Sequence, residues 1–370
     1  MKSDCLSKYF YLLLVVMTIA KKFVDISPSL MVFISTGSLV YIGCILSSKV
    51  LLNQSNNGSQ EKIETMKQKD AWLFPVIGSV VLFGLYIVFK YLQKDMLNLL
   101  LQIYFSLLGA YTISALIQEK IYTISPFKSM YENKLFTIPK IKLISDSEVI
   151  VTLLDILTFC LGSVVAIFYF IYKNWVFNNI LGMAFSIFGI ANMILGEYKT
   201  GAILLILLFF YDIFWVFFTP VMVSVAKSID GPIKLMFPKH FSTAEIKDFN
   251  MIGLGDIVIP GIYVALMLHF DIIKYYKSNK SFNGFSFSLS HCKYFFITFI
   301  FYCLGIIATL GVMIFFNHAQ PALLYLVPAI LISSTLTAVF SGDMKDLWNF
   351  NEEKLQKEGI IGSEESKKTS

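Results

Sequence analysis

The sequence predicts an all-α integral membrane protein of nine transmembrane helices, with a short signal-like apolar run ahead of the first. Three observations carry this. Of 370 residues, 56% are hydrophobic and only 15% charged, against about 25% charged in an ordinary soluble chain. Mean hydropathy is +0.69. Uncharged runs near 20 residues recur along the chain, the helix length that crosses a hydrocarbon layer about 30 Å thick.

The first apolar run, Tyr9 to Ala20, lies between Lys8 and the pair Lys21-Lys22. Twelve helical residues rise about 18 Å, too little to span. Residues 1–26 therefore read as a signal peptide or a short anchor, with small residues in Thr18-Ile19-Ala20 where a signal would be cut. Nine spans follow, near 27–48, 72–90, 96–117, 149–172, 175–195, 200–220, 251–270, 294–317 and 321–340. They divide into an N-terminal helical part, 27–195, holding spans one to five, and a second part, 196–341, holding spans six to nine. The tail, 342–370, is polar and reads as mobile.

Orientation follows from lysine. Loops after spans one, three, five and seven, with the tail, hold 19 Lys; the alternate loops hold 7. The lysine-rich side is expected to be cytosolic, tail included. The sequons at Asn53 and Asn57 are then expected to face the cytosol and carry no glycan.

Several function classes are excluded. All 30 basic residues are Lys, so no guanidinium clamp is available. The net charge of +5 is spread over loops with no basic stripe for nucleic acid. The five Cys form no CxxC and the four His no HExxH. No metal and no organic cofactor is expected.

Two acids stand out. Asp212 lies in the apolar run Gly201 to Pro220, and Asp256 lies in Met251 to Phe270. A carboxylate at mid-bilayer costs roughly 2.5–3.5 kcal/mol or more, so each marks a functional site by default. The two spans run antiparallel. Asp212 is eight residues before the end of its span and Asp256 five after the start of the next, so they reach similar depths, about 12 and 8 Å from the same boundary. Two facing carboxyls cannot both ionise in low dielectric and share one proton. One can then activate a water while the other protonates a scissile carbonyl. Gly253 and Gly255 remove side chains beside Asp256. Pro260 cannot donate to the Asp256 carbonyl, which should loosen the helix at its acid. Tyr211 could bring a hydroxyl near the pair. Asp155, Asp271, His269 and His318 read as interfacial, and Glu197 and Lys199 as caps of a cytosolic turn.

Tyr211-Asp212 in one span, Gly253-Leu254-Gly255-Asp256 in the next and Gln320-Pro321-Ala322-Leu323 at the start of the last resemble the YD, GxGD and PAL motifs of the presenilin-type intramembrane aspartyl proteases. Within that group the chain is similar to the signal peptide peptidases over about Asp70 to Phe340, including Val225-Ala226-Lys227-Ser228 and Pro232-Ile233-Lys234-Leu235. The resemblance implies a nine-span fold in the endoplasmic reticulum membrane. It makes Asp212 and Asp256 the catalytic pair, with Tyr211, Gly253 and Gly255 in support. Leu254, Gln320, Pro321, Ala322 and Leu323 would seat substrate. The expected substrates are type II-oriented transmembrane segments, notably signal peptides left by signal peptidase. A homo-oligomer and the membrane-protein degradation machinery are further expected partners. Lys367-Lys368-Thr369-Ser370 resembles a dilysine retrieval signal, which works only on a cytosolic tail. Two other classes remain open on the residues themselves. A proton-coupled transporter or leak channel would use intramembrane acids as a relay. A non-catalytic quality-control adaptor would bind membrane segments without needing the acids.

Overall fold

A computed structural model describes residues 2–21, 26–56, 65–91, 94–121, 134–138, 149–239, 248–278, 292–316 and 320–352. In chain order the elements are α1 (Lys2–Ala20), α2 (Pro28–Asn56), α3 (Gln68–Tyr91), α4 (Lys94–Ile121), β1 (Lys134–Ile138), β2 (Val149–Thr152), α5 (Leu153–Tyr172), α6 (Trp175–Asn192), α7 (Tyr198–Phe217), α8 (Val221–Ser228), β3 (Lys234–Pro238), β4 (Phe249–Gly253), α9 (Leu254–Ser278), α10 (Lys293–Phe316), α11 (Leu323–Ser341) and α12 (Met344–Trp348). Among the described residues, nine helices are long and apolar enough to cross a membrane, α2 to α7 and α9 to α11. They match the nine runs read from sequence. The apolar helix in the first run, Ser7–Thr18, is shorter. It lies along α2, with the Phe10 ring tilted against that of Tyr41 at 4.7 Å between centroids.

Two of the expected spans begin too early. Residues 149–152 and 251–253 are strands, not helix. Val149-Ile150-Val151 is β-branched throughout and pairs antiparallel with β1. Thr152 then caps α5 through a capping box with Asp155. Asp155 also accepts from Gln118 Nε2 at 2.8 Å, tying α5 to α4.

The centre of the bundle is α9. Of its apolar window 83% is buried, against 6% for α3, which turns most of its surface outward. Helix α9 packs on α2, α6 and α10. Small residues set these approaches. A Cβ on Gly43 would stand 2.7 Å from Ile190 and one on Gly261 2.6 Å from it, so Ile190 of α6 is wedged between α2 and α9. Helices α4 and α5 approach still closer, since a Cβ on Gly162 would meet the Ala110 carbonyl oxygen at 2.3 Å. That neighbour is backbone and cannot rotate away. Gly162→Ala is therefore expected to destabilise by about 1–3 kcal/mol, read as a lower thermal inactivation midpoint in detergent; an unchanged midpoint would contradict this packing.

Several residues expected at the surface are internal. Asp271 is 5% exposed and its Oδ2 accepts from Phe295 N at 2.8 Å, capping the first turn of α10 from a neighbouring helix. His269 is 2% exposed, covered by protein rather than by solvent. The tail is also corrected where it is described. After α12, Phe350 and Glu352 are buried, and Glu352 N donates to Gly196 O at 2.8 Å. Glu197 makes no side-chain cap to its helix. It instead accepts from Asn351 Nδ2 at 2.5 Å, while Lys199 lies over the Trp348 ring at 5.4 Å. These two residues hold the tail rather than cap a turn. Lys367 and Lys368, the sequon residue Asn57 and His318 lie outside the described residues.

Candidate active site

Three elements converge on the acids. Helix α7 carries Asp212, which is 2% exposed. The hairpin β3–β4 runs directly into α9, and Asp256 sits in that helix's first turn, partly exposed. The two carboxyls act on each other electrostatically. Helix α11 supplies the third element: its first residue, Leu323, donates its backbone N–H to Asp212 Oδ2 at 3.3 Å. The orphan donors and partial positive charge of a helix N-terminus suit a carboxylate. Pro321 and Ala322, both buried, lead into that turn, and Gln320 is partly buried beside them. The Gly253 N–H bonds the Asp256 carboxylate. Each acid thus has one backbone donor, from a different element.

The glycines differ in what they do. A Cβ on Gly253 would stand 3.3 Å from Asp256 Oδ2, whereas one on Gly255 would meet nothing within 4 Å. Gly253 keeps the carboxyl's own space clear, and Gly255 leaves an opening beside it. Leu254 packs inward near Gly182 of α6. Tyr211 reaches α3. Its hydroxyl approaches Gly78 of α3, where a Cβ would stand 3.7 Å away, and its ring lies 6.2 Å from Trp215. Pro260 is buried within a helix that continues through it.

Among the described residues, the hairpin has one covered edge and one open edge. Its register pairs Lys234 with Gly253, Met236 with Met251 and Pro238 with Phe249. Residues directly opposite in an antiparallel pair alternate between bonding one another and pointing outward. Leu254 N donates to Ile233 O and Lys239 N to Asp248 O. The bonded pairs are therefore 233–254, 235–252, 237–250 and 239–248, so Lys234, Met236 and Pro238 present their backbone groups outward from β3. Asparagines of α6 meet them. Asn178 Nδ2 donates to Lys234 O at 2.9 Å, Asn179 Nδ2 to Met236 O at 2.8 Å, and Met236 N to Asn179 Oδ1 at 2.9 Å. On β4 the outward groups belong to Phe249, Met251 and Gly253. No described group bonds those of Met251, while the Gly253 N–H is the one on Asp256. The Lys234 side chain closes the preceding turn, donating from Nζ to Ala226 O at 2.6 Å. Burial pushes its ammonium below the ordinary lysine range, against the pull of Asp230.

Sequence reasoning missed the hairpin and both asparagines. Adjacent carboxamides in the otherwise apolar run 175–192 were a legible signal that something polar docks there. It also missed Tyr302 of α10, fully buried and within electrostatic reach of Asp256, for which no local signal exists. Among the described residues there is no cluster of three His, Cys, Asp or Glu able to hold a metal.

Residues 58–354 match the signal peptide peptidase family, beyond both ends of the similarity read from motifs. The chain is 38% identical over 325 residues to a signal peptide peptidase of Mus musculus, covering 85% of this chain and 80% of that protein. It is 39% identical over 301 residues to a signal peptide peptidase of Homo sapiens, covering 78% and 74%. A probable intramembrane protease of Schizosaccharomyces pombe is 35% identical over 319 residues, 84% of this chain and 95% of that protein. With these matches the chain belongs to the signal peptide peptidase family of intramembrane proteases.

Proposed function

We propose that Asp212 and Asp256 are the catalytic pair of this protease and that it hydrolyses peptide bonds in type II-oriented transmembrane segments, signal peptides left after signal peptidase cleavage among them. The observation that carries the reading is that Asp212, held by the first N–H of α11, lies near enough to Asp256 for the two carboxyls to interact. One proton lies between them. The ionised carboxyl takes a proton from water as that water attacks the scissile carbonyl carbon. The protonated carboxyl donates to the carbonyl oxygen, giving a tetrahedral diol. Collapse of the diol returns a proton to the leaving amine and breaks the C–N bond, with no covalent enzyme intermediate.

A transmembrane helix hides its peptide bonds in its own hydrogen bonds, so the substrate must unwind locally. The open edge of β4 supports an extended docking mode, in which the outward N–H and C=O of Met251 pair with the freed substrate backbone. A strand held there runs toward Asp256 past Gly253 and Gly255, where side chains are absent. Pro321, Ala322 and Leu323 border the same space, with Gln320 and Leu254 at its margins. Tyr211 acts through packing on α3 rather than through a bond to the acids. The lysine distribution supports a cytosolic tail, and with it a retrieval role for Lys367-Lys368 and residence in the endoplasmic reticulum.

Turnover of a synthetic signal peptide by the purified chain in detergent tests the reading. Cleavage with no added metal is expected. Binding without cleavage would favour an adaptor, and acid-dependent ion flux in vesicles without cleavage a transporter or channel. A sharper expectation concerns Gly253. Gly253→Ala puts a methyl 3.3 Å from Asp256 Oδ2 and is expected to lower kcat by roughly 10–100-fold, the effect of an ångström-scale misplacement. Wild-type kcat in that variant would remove Gly253 from the site.

A further inference from the structure

We infer that Asn179 of α6 is a positioning residue for cleavage: its carboxamide takes the place of a third strand on the outer edge of β3, and so fixes the register in which β4 presents Met251 and Gly253 beside Asp256. This rests on the reading that the open edge of β4 receives the substrate backbone.

A primary carboxamide offers one acceptor and one donor side by side, the pair that one residue of a neighbouring strand would present. Asn179 uses both on a single residue, taking the Met236 N–H at 2.9 Å and giving to the Met236 carbonyl at 2.8 Å. Asn178 covers the Lys234 carbonyl at 2.9 Å. At the next outward position Pro238 has no N–H to satisfy. The β3 edge is thereby closed to any incoming strand, and β4 is left as the edge that can take one. The asparagines are 0% and 3% exposed, so their bonds do not compete with water.

The arrangement also resists slippage. A one-residue slide of β3 would turn its inward groups toward α6 and flip every side chain. A two-residue slide in one direction would bring Pro238 opposite Asn179 and leave the Asn179 oxygen without a donor, and one in the other direction would bring Lys234 there and take it from Asn178. Gly182, one turn further along α6, locks the seat. A Cβ there would stand 2.9 Å from Leu235 Cδ2, so Leu235 fills the notch that Gly182 leaves. Because β4 meets α9 at Gly253 and Gly255, where the backbone can pivot, a shift of the hairpin moves the docking edge relative to Asp256. A substrate held on that edge would then offer a different peptide bond to the acids.

The test is Asn179→Ala in the purified full chain, read by kcat, KM and the masses of the products from a synthetic transmembrane signal peptide. The expected result is new cuts one or two residues from the wild-type bond, with kcat lowered about tenfold or more and KM changed much less. Asn178→Ala, which loses one bond farther from Met251, is expected to keep the wild-type bond. A buried asparagine that is only structural would lower the folded fraction and leave the cleaved bond unchanged; that outcome overturns the proposal. If Asn179→Ala does not fold, Gly182→Ala displaces the same hairpin with both asparagines intact, and unshifted products from it overturn the proposal equally. Met251→Pro separates this from the docking reading, because it removes an outward N–H of β4 and nothing from β3. Unchanged kcat/KM in Met251→Pro defeats the docking reading and this proposal with it. Impaired Met251→Pro alongside unshifted products from Asn179→Ala defeats this proposal alone.

Discussion

Asp256→Ala and Asp212→Ala are each expected to lower the turnover of a synthetic signal peptide by on the order of 10³-fold or more, with the purified variants still entering the membrane and binding substrate. The two losses are not additive, because the acids act as one unit and either single change removes the shared proton. Their structural consequences differ. Asp256 is partly exposed, so its removal frees chiefly the Gly253 N–H. Asp212 is 2% exposed and accepts from Leu323 N, so Asp212→Ala also leaves a buried donor unpaired, at about 1–3 kcal/mol. Asp212→Asn removes that difference, since its carboxamide oxygen still accepts from Leu323 while the group can no longer exchange a proton. Equal inactivity of Asp212→Asn and Asp212→Ala, with the Asn form more heat-resistant, is the expected pattern. Wild-type turnover in any of these variants would take the pair out of the reaction.

How much of this was legible in the sequence follows from what each feature costs. An acid inside an apolar run is expensive wherever it lies, so Asp212 and Asp256 declared themselves without tertiary knowledge. Span number was legible for the same reason, since backbone groups in lipid demand helix. The hairpin was not. Its strands, Lys234–Pro238 and Phe249–Gly253, are five residues each, and the partner of β3 on its other side is a pair of side chains from a helix more than 50 residues earlier. Nothing local encodes that. Asp271 illustrates the opposite failure. It was read as interfacial from its place near a span end, and it is buried in the protein because a neighbouring helix offers free N–H groups to it. Gly255 and Gly253 look alike in the motif, and only the neighbourhood of each separates a cleared carboxyl from an opening beside it.

The tail supplies the second large effect. His269→Leu is expected to destabilise the folded chain by about 3–5 kcal/mol, the cost of leaving one member of a buried pair alone. His269 Nδ1 lies 3.3 Å from Glu352 Oε1, and the two side chains are 2% and 1% exposed. Ser47 Oγ of α2 is 3.2 Å from His269 Nε2. Among the described residues His269 Nδ1 and both Glu352 carboxylate oxygens make no hydrogen bond, so the imidazole and the carboxyl meet by proximity, and the ring's one hydrogen bond is that between Nε2 and Ser47. Three parts of the chain meet there: α2, the core helix α9 and the segment after α12. Among the described residues no other basic side chain lies within ion-pair distance of the Glu352 carboxyl, so removing the ring strands it, whereas Glu352→Leu strands only an imidazole and is expected to do less harm. The double variant, with two apolar residues in place of the pair, is expected to recover most of the loss, because an apolar contact carries no desolvation penalty. Thermal inactivation midpoints of the four proteins in one detergent give the coupling directly. Since His269 is thirteen residues beyond Asp256 on the same helix, a purely stabilising pair should shift those midpoints while leaving kcat at permissive temperature unchanged. A fall in kcat that tracks the midpoints, with the folded fraction held constant, would instead mean that the tail sets the position of α9 and its acid. Additive midpoints across the cycle would mean that the two groups do not interact at all.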